Sequence, residues 1–240
     1  MQQDENTLII VPTYNEVENI LALYSGIRSE FLFHNILFVD DGSIDGTIDL
    51  IENIINKDNR VFILKRHDKK GIAKAYIDGI LWGLSKKYLW FQQMDADLSH
   101  DPKYLLEFEK LKDKNDFIVA SRYVDFGKVE KWGFFRRFLS FFGGQYLKIV
   151  FNSKMNDLTG GFNCWNRKVL EKIDLSKICS KGFLFQAELK YLASVYGFKW
   201  IEFPYSFKER EKGSSKLSSN IIIEGLFKPL WIIFKYCKIK

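Results

Sequence analysis

Five times in its first 120 residues the chain runs a short apolar stretch into a cluster of polar residues. The runs cover residues 7–11, 35–39, 61–64, 88–92 and 116–120. Most are near-continuous in apolar, β-branched and aromatic residues rather than alternating, as expected of strands buried on both faces. Between them, residues 16–27 carry apolar positions at helical spacing (Ile20, Leu23, Ile27), and further helices are expected from Asp45, over 72–84 and over 102–111. Strands of this kind joined by helices predict an α/β fold, a Rossmann-like and mostly parallel sheet with helices on both faces. In open sheets of that class the ligand site lies beyond the carboxyl ends of the strands.

The second half has a different character. Residues 1–120 hold 14 Lys and Arg against 20 Asp and Glu, whereas residues 121–240 hold 22 against 10. Such asymmetry points the basic half at an anionic partner: nucleic acid, a membrane surface or a phosphorylated substrate. No RNP-like or helix-turn-helix signature accompanies the charge, so no nucleic-acid partner is expected. A hydrophobic fraction of 47% with 28% charged residues excludes a disordered chain. The three cysteines show no metal or disulfide spacing and read as reduced thiols. The opening residues lack a charged segment followed by an apolar one, so no signal peptide is expected.

Residues 132–151, WGFFRRFLSFFGGQYLKIVF, predict a helix with one small-or-polar stripe (Gly133, Arg137, Ser140, Gly144, Lys148) and large apolar residues elsewhere. Two readings fit it: a core helix under a second layer, or a helix lying in a membrane interface with Arg136, Arg137 and Lys148 among lipid head groups. Its charges make the apolar run too short to span a bilayer. Residues 221–239 are similar, interrupted by Glu224, Lys228, Pro229 and Lys235. The expected organisation is one domain over 1–217, including the 131–151 amphipathic helix, and a membrane-proximal helical segment over 218–240.

The chemistry is concentrated in the polar clusters. Asp95-Ala96-Asp97 follows the fourth run; two carboxylates so spaced at a strand end would hold Mg²⁺ or Mn²⁺ with phosphate and water completing the shell. A solvated turn leading to a helix cap at Asp101-Pro102 has the same appearance. Asp41, Ser43, Asp45, Gly46 and Glu52 match an EF-hand calcium loop, but a strand rather than a helix enters it, which favours a tight turn with Asp45 near a helix cap. Pro12-Thr13-Tyr14-Asn15-Glu16 follows the first run, where Pro12 is expected to end the sheet hydrogen bonding. The paired glycines of Asp157-Leu158-Thr159-Gly160-Gly161-Phe162 would let backbone approach a ligand. Arg122 and the stretch Arg210-x-x-Gly213-x-x-Lys216 supply cations.

PTYNE, VDDGSIDGT, MDADLSHDP, SRY, DLTGGF and RxxGxxK, in this order and spacing over residues 7–217, resemble the dolichol-phosphate mannose synthases. These are polyprenyl-phosphate members of the large inverting glycosyltransferase family with an A-type nucleotide-diphospho-sugar fold. The resemblance implies that Pro12, Tyr14, Glu16, Val39 and Asp41 cradle the nucleoside. It puts Asp95 and Ala96 at the donor ribose and phosphates, Asp97 as main metal ligand with Asp95 helping, and Ser99 near the metal. Arg122, Arg210 and Lys216 would hold the donor diphosphate or acceptor phosphate, making Asp97, Asp95 and Arg122 the catalytic set. Asn163 stands where many relatives have Arg or Lys.

The implied reaction is mannosyl transfer from GDP-mannose to polyprenyl phosphate with inversion, using Mg²⁺ or Mn²⁺. UDP-glucose or another nucleotide sugar is the alternative donor, and a protein or polysaccharide hydroxyl is a more distant alternative acceptor. A lipid acceptor implies peripheral association with the cytoplasmic side of a membrane. The C-terminal membrane spans of some relatives do not appear in these residues, which leaves room for a membrane-anchoring partner protein.

Overall fold

The computed structural model describes residues 6–67, 71–125, 127–129, 134–208 and 219–237, with backbone alone at 128, 134–139 and 219–223. The first half alternates as expected: β1 (Thr7–Thr13), α1 (Val17–Glu30), β2 (Asn35–Asp40), α2 (Thr47–Ile55), β3 (Val61–Lys65), α3 (Ile72–Leu84), β4 (Trp90–Gln93), a 3₁₀ turn at Pro102–Tyr104 leading into α4 (Leu105–Leu111), and β5 (Phe117–Ser121). There follow β6 (Lys128–Val129), α5 (Phe134–Val150), β7 (Asn163–Asn166), α6 (Arg167–Lys172), α7 (Leu184–Val195), β8 (Trp200–Pro204), β9 (Ser206–Phe207) and α8 (Ser219–Tyr236).

Seven strands form one sheet in the order β3-β2-β1-β4-β7-β5-β8, and β6 pairs with β9 apart from it. All pairings in the main sheet are parallel except those of β7, which runs antiparallel to both β4 and β5. The apolar continuity of the strands follows from burial on both sides. Leu8 and Ile10 join the core beneath α3, α5, α6, α7 and α8, while Ile9 and Val11 join the core beneath α1, α2 and α4. Each such side chain withdrawn from water contributes about 1.5–3 kcal/mol. Gly79 and Gly83, one turn apart on α3, let that helix lie directly on β1. A Cβ at Gly83 would stand 2.5 Å from Phe91 Cε1 and 2.7 Å from Leu8 Cδ2.

The structure corrects one expectation about strands. β1 does not stop at Pro12: Pro12 pairs with Val39 and Thr13 with Asp40. The alternation explains this. Thr13 O accepts from Asp41 N on the β2 side, whereas Ile10 O accepts from Met94 N on the β4 side. Pro12 shares the parity of Ile10, so its missing N–H faces β4, whose pairing with β1 has already ended at Ile10. The structure also adds β7, which the sequence reading did not mark, four residues inserted antiparallel between β4 and β5. Its neighbours, rather than its own pattern, make it a strand.

Candidate active site

The sheet order brings the polar clusters to one edge. The segments after β1, β2, β4 and β5 leave the carboxyl ends of parallel strands. Because β7 runs the other way, the loop before it, residues 157–162, arrives at that same edge. The chain departs to opposite sides from β1 and β4, which opens the crevice in which such sheets bind ligands.

The first two loops are laced together. Asn15 N–H donates to Ser43 Oγ (2.8 Å), Ile44 N–H to Asn15 Oδ1 (3.0 Å), Glu16 N–H to Thr47 Oγ1 (2.9 Å) and Val17 N–H to Asp45 Oδ2 (3.1 Å). Asn15 adopts the left-handed conformation (φ 56°) that this lacing needs and that asparagine tolerates. The two aspartates of the second cluster divide their work. Asp40 is consumed internally, accepting from Thr13 Oγ1, Gly42 N, Ser43 N and Ser43 Oγ. Asp41 instead pairs with Arg66 and accepts from the N–H of Gly71, the N-cap of α3 (3.0 Å). Tyr14 is exposed, while Val39 is fully buried, its Cγ2 set against Gly79 of α3. The calcium-loop pattern thus sits on a strand end and a helix cap: Asp45 Oδ1 accepts from Thr47 N–H (3.0 Å) at the start of α2.

The third loop carries the carboxylate pair. Asp95 Oδ1 accepts from Tyr76 Oη of α3 (2.8 Å), so α3 touches both Asp41 and Asp95 and holds the two acids on its own face of the sheet. Burial and the neighbouring carboxylates of Asp95 and Asp97 raise the Tyr76 phenol well above its usual pKa, so it stays a donor. His100 closes the turn from behind: its Nδ1 accepts from Asp95 N–H (3.0 Å) and its ring stacks on Phe162 at 4.6 Å. Burial lowers its pKa, so the ring is neutral at pH 7 with its proton on Nε2. Asp97 Oδ1 accepts from Ser99 N–H (3.1 Å), and Leu98 between them is forced to φ 61°. A leucine in that region costs on the order of 1–2 kcal/mol, strain of the kind that gathers at functional turns.

Two carboxylates and a hydroxyl suit a hard divalent cation. Ser99 Oγ is buried with no hydrogen-bond partner, an orphan that a metal-bound water would satisfy. Among the described residues no three His, Cys, Asp or Glu side chains converge on a point. At nucleotide sites Mg²⁺ or Mn²⁺ takes one or two carboxylates, with phosphate oxygens and water completing the shell. Asp95, Asp97 and Ser99 therefore fit such an ion. Ala96, between the two carboxylates, is buried.

The fourth element is the glycine-rich loop. Arg122 forms a two-pronged ion pair with Asp157, Nε to Oδ2 and Nη2 to Oδ1 each at 2.7 Å, and Nη2 also reaches Thr159 Oγ1 (3.1 Å). The guanidinium holds the Asp157 carboxyl down to about 2 against the penalty of burial. Arg122 thus sits behind the loop, gripping it, with its side chain 9% exposed. Gly161 lies toward Asp95: a Cβ there would stand 3.9 Å from both Asp95 carboxylate oxygens. Asn163 is buried and donates to Gln93 Oε1, Gly160 O and Gln186 Oε1. Arg210 and Lys216 lie outside the described residues.

Sequence reasoning missed three residues here. Arg66, after β3, pairs with both Asp41 and Asp78; its place at a strand end was the available signal. Tyr76 and Lys190 sit inside helices, and nothing local marks them.

Comparison with known proteins agrees with this geometry. Residues 8–174 match the family described as Glycosyl transferase family 2. The polyprenol monophosphomannose synthase of Mycolicibacterium smegmatis is 40% identical over 226 residues, 93% of this chain and 85% of that protein. The undecaprenyl-phosphate mannosyltransferase of Micrococcus luteus is 36% identical over 219 residues, 91% of this chain and 90% of that protein. Among solved structures, the mannosyltransferase PcManGT of Pyrobaculum calidifontis, in complex with GDP-Man and Mn²⁺, superposes with a TM-score of 0.62 at 17% identity. That match covers 98% of this chain and 64% of the other, and it speaks to the fold alone. The nucleotide-sugar fold, the acidic clusters on one sheet edge and these matches lead to one conclusion: the chain belongs to glycosyl transferase family 2 and is a glycosyltransferase.

Proposed function

We propose that the chain transfers a mannosyl residue from GDP-mannose to a polyprenyl (dolichyl-type) phosphate, with inversion, using Mg²⁺ or Mn²⁺, at a membrane surface. The observation that carries the reading is the pair of relatives, each matched over nine-tenths of this chain, whose names state mannosyl transfer and a polyprenyl acceptor. The site is chemically suited to it. A phosphate monoester has a second pKa of about 6, so the acceptor is already mostly dianionic at neutral pH and needs little help from a base. In this reading Asp97 and Asp95 hold the cation, with Ser99 beside it. The bound ion supplies charge compensation as the diphosphate departs. Pro12, Tyr14, Glu16 and Asp41 line the nucleoside recess, with Val39 and Ala96 shaping it from the sheet. Arg122 contributes its charge from behind the glycine loop, and Arg210 and Lys216 steady the two anions.

The second half supports a membrane setting. The outward side of α8 presents Leu226, Phe227, Leu230, Trp231 and Phe234, all exposed, while Ile232 and Tyr236 on its other side are buried. Lys228 and Lys235 stand 5.7 and 4.9 Å from the Trp231 ring. Phe141, Phe142 and Ile149 are exposed on α5, which packs against α8. Exposed apolar residues framed by lysines and an indole suit the lipid head-group boundary. The association proposed is peripheral; among the described residues no helix is long and apolar enough to cross a membrane.

The test supplies radiolabelled GDP-mannose and UDP-glucose separately with polyprenyl phosphate in detergent, with and without EDTA, and identifies the lipid product by mass spectrometry. Mannosyl-phosphoryl lipid from GDP-mannose, abolished by EDTA, is expected. A glucosylated lipid, or full activity in EDTA, refutes the donor or the metal respectively.

A further inference from the structure

Lys190 is fully buried in α7, where an ammonium is costly unless it is used. Its Nζ donates to two backbone carbonyls of the glycine loop, Asp157 O at 2.8 Å and Gly160 O at 2.9 Å. The same loop is held from other directions. Glu202 accepts the N–H groups of Asn156 and Asp157 (2.8 Å each), Asp157 Oδ1 accepts from Gly160 N–H (2.8 Å), and Asn163 Nδ2 reaches Gly160 O (3.0 Å). The residue that follows is Gly161, where an added Cβ would lie 3.9 Å from both carboxylate oxygens of Asp95.

We propose that Lys190 is a positioning residue for sugar transfer: its ammonium fixes the Asp157–Gly160 turn so that Gly161 stays seated against Asp95. A charged group is needed because of the company it keeps. Of the charged groups around Lys190, the carboxylates of Asp157 and Glu202 favour its proton and the guanidinium of Arg122 opposes it. Without the ammonium, the buried carboxylate of Asp157 on the turn and the partly buried carboxylate of Glu202 on β8 face a single guanidinium, and the turn between them is held by fewer charges than it needs. Burial is the largest influence on the amine and pulls its pKa down to about 8, so the charge is present at pH 7 and is lost above pH 8.

Stability and activity then move in opposite directions with pH. Between about 8 and the ordinary lysine value the folded state binds fewer protons at Lys190 than the unfolded state does, so this group makes folding more favourable as pH rises. Activity falls over the same range, because the charge that seats the turn is leaving. A purely structural lysine would not produce that divergence.

The experiment compares wild type, Lys190→Met and Lys190→Arg by steady-state kinetics and thermal unfolding from about pH 6 to about pH 10. An error of 1 Å in a supporting loop is worth roughly a hundredfold in rate. Lys190→Met is therefore expected to lower kcat about 10- to 100-fold at pH 7, with the donor KM changed less than about threefold. The wild-type alkaline limb near pH 8 should vanish in Lys190→Met and move upward in Lys190→Arg, whose guanidinium keeps its proton. A folded Lys190→Met within about twofold of wild type in kcat, or an alkaline limb unmoved in both variants, overturns the proposal. Where Lys190→Met does not fold, the limb of Lys190→Arg decides alone. The readout in kcat rests on the transferase reading above. Hydrogen exchange at the Gly160 and Gly161 amides does not: it should accelerate in Lys190→Met whatever the substrate, and unchanged exchange counts against the role of Lys190 only.

Discussion

Replacing Asp157 by asparagine tests how the active-site loop is held, at almost constant shape. In the native site Oδ2 accepts from Arg122 N–H (3.0 Å) and Nε (2.7 Å), while Oδ1 accepts from Arg122 Nη2 (2.7 Å) and Gly160 N–H (2.8 Å). An amide has one acceptor oxygen, so whichever way the substituted side chain turns, its NH₂ group meets two donors. The guanidinium is also left buried without its counter-charge, since the Asp157 side chain is 0% and that of Arg122 9% exposed. Removing one partner of such a pair costs about 3–5 kcal/mol. For a chain of this length that lowers Tm by on the order of 10 °C. Thermal unfolding followed by circular dichroism at pH 7 reads the loss directly, and Arg122→Met/Asp157→Leu should recover much of it by removing both charges. The pH dependence gives an independent check. With the folded carboxyl held at about 2 against an ordinary 3.8, its contribution is complete above pH 4 and disappears as pH falls through 2. Asp157→Asn should lack that acid-induced loss. A destabilisation below about 1 kcal/mol, typical of an exposed pair, would refute the reasoning.

Three further outcomes are expected. Asp97→Ala should reduce sugar transfer at least about a thousandfold, as loss of charge stabilisation at a departing group does, while circular dichroism and Tm stay near wild type; retained transfer would remove Asp97 from the metal site. Tyr76→Phe deletes the hydrogen bond to the Asp95 carboxyl, and should lower kcat about tenfold or more with little change in the far-UV spectrum; unchanged kinetics would make the Asp95 contact dispensable. Charge reversal at Arg136 and Arg137, or Phe227→Ser with Phe234→Ser on α8, should weaken cosedimentation with phosphatidylglycerol vesicles, and high salt should weaken it further. Equal binding of all variants would place the lipid contact elsewhere.

The alternation of apolar runs with helical patterns in residues 7–120 was enough to read a mostly parallel sheet, because strands buried on both faces have no polar positions to disguise them. The helix over 72–84 was legible to the residue, since Gly71 precedes it and its apolar spacing is unbroken. Asp95, Asp97 and Asp41 stood out as acids directly after buried strands, but a solvated turn or helix cap looks the same locally, and the roles proposed for them came from the resemblance. β7 and β8 were not legible. NCWN is too short to carry a pattern, and it becomes a strand because β4 and β5 leave a gap with unpaired backbone on both sides. Nor did the sequence separate Asp40 from Asp41, which are neighbours with opposite fates: one caps its own turn, the other meets Arg66 and α3.

Arg122 shows the division most clearly. Its position after β5 marked it as a cation near the site, but only the folded chain, with β7 running backwards, brings Asp157 up to claim two of its nitrogens. Lys190 and Tyr76 depend on the same kind of encounter, since each meets its partner across more than one element of the fold. Local spacing along the chain carried the periodicity that builds the sheet and the acids that end its strands. Which charges those acids and cations meet was settled on folding, because partnership between residues far apart in the chain is set by strand order and helix packing.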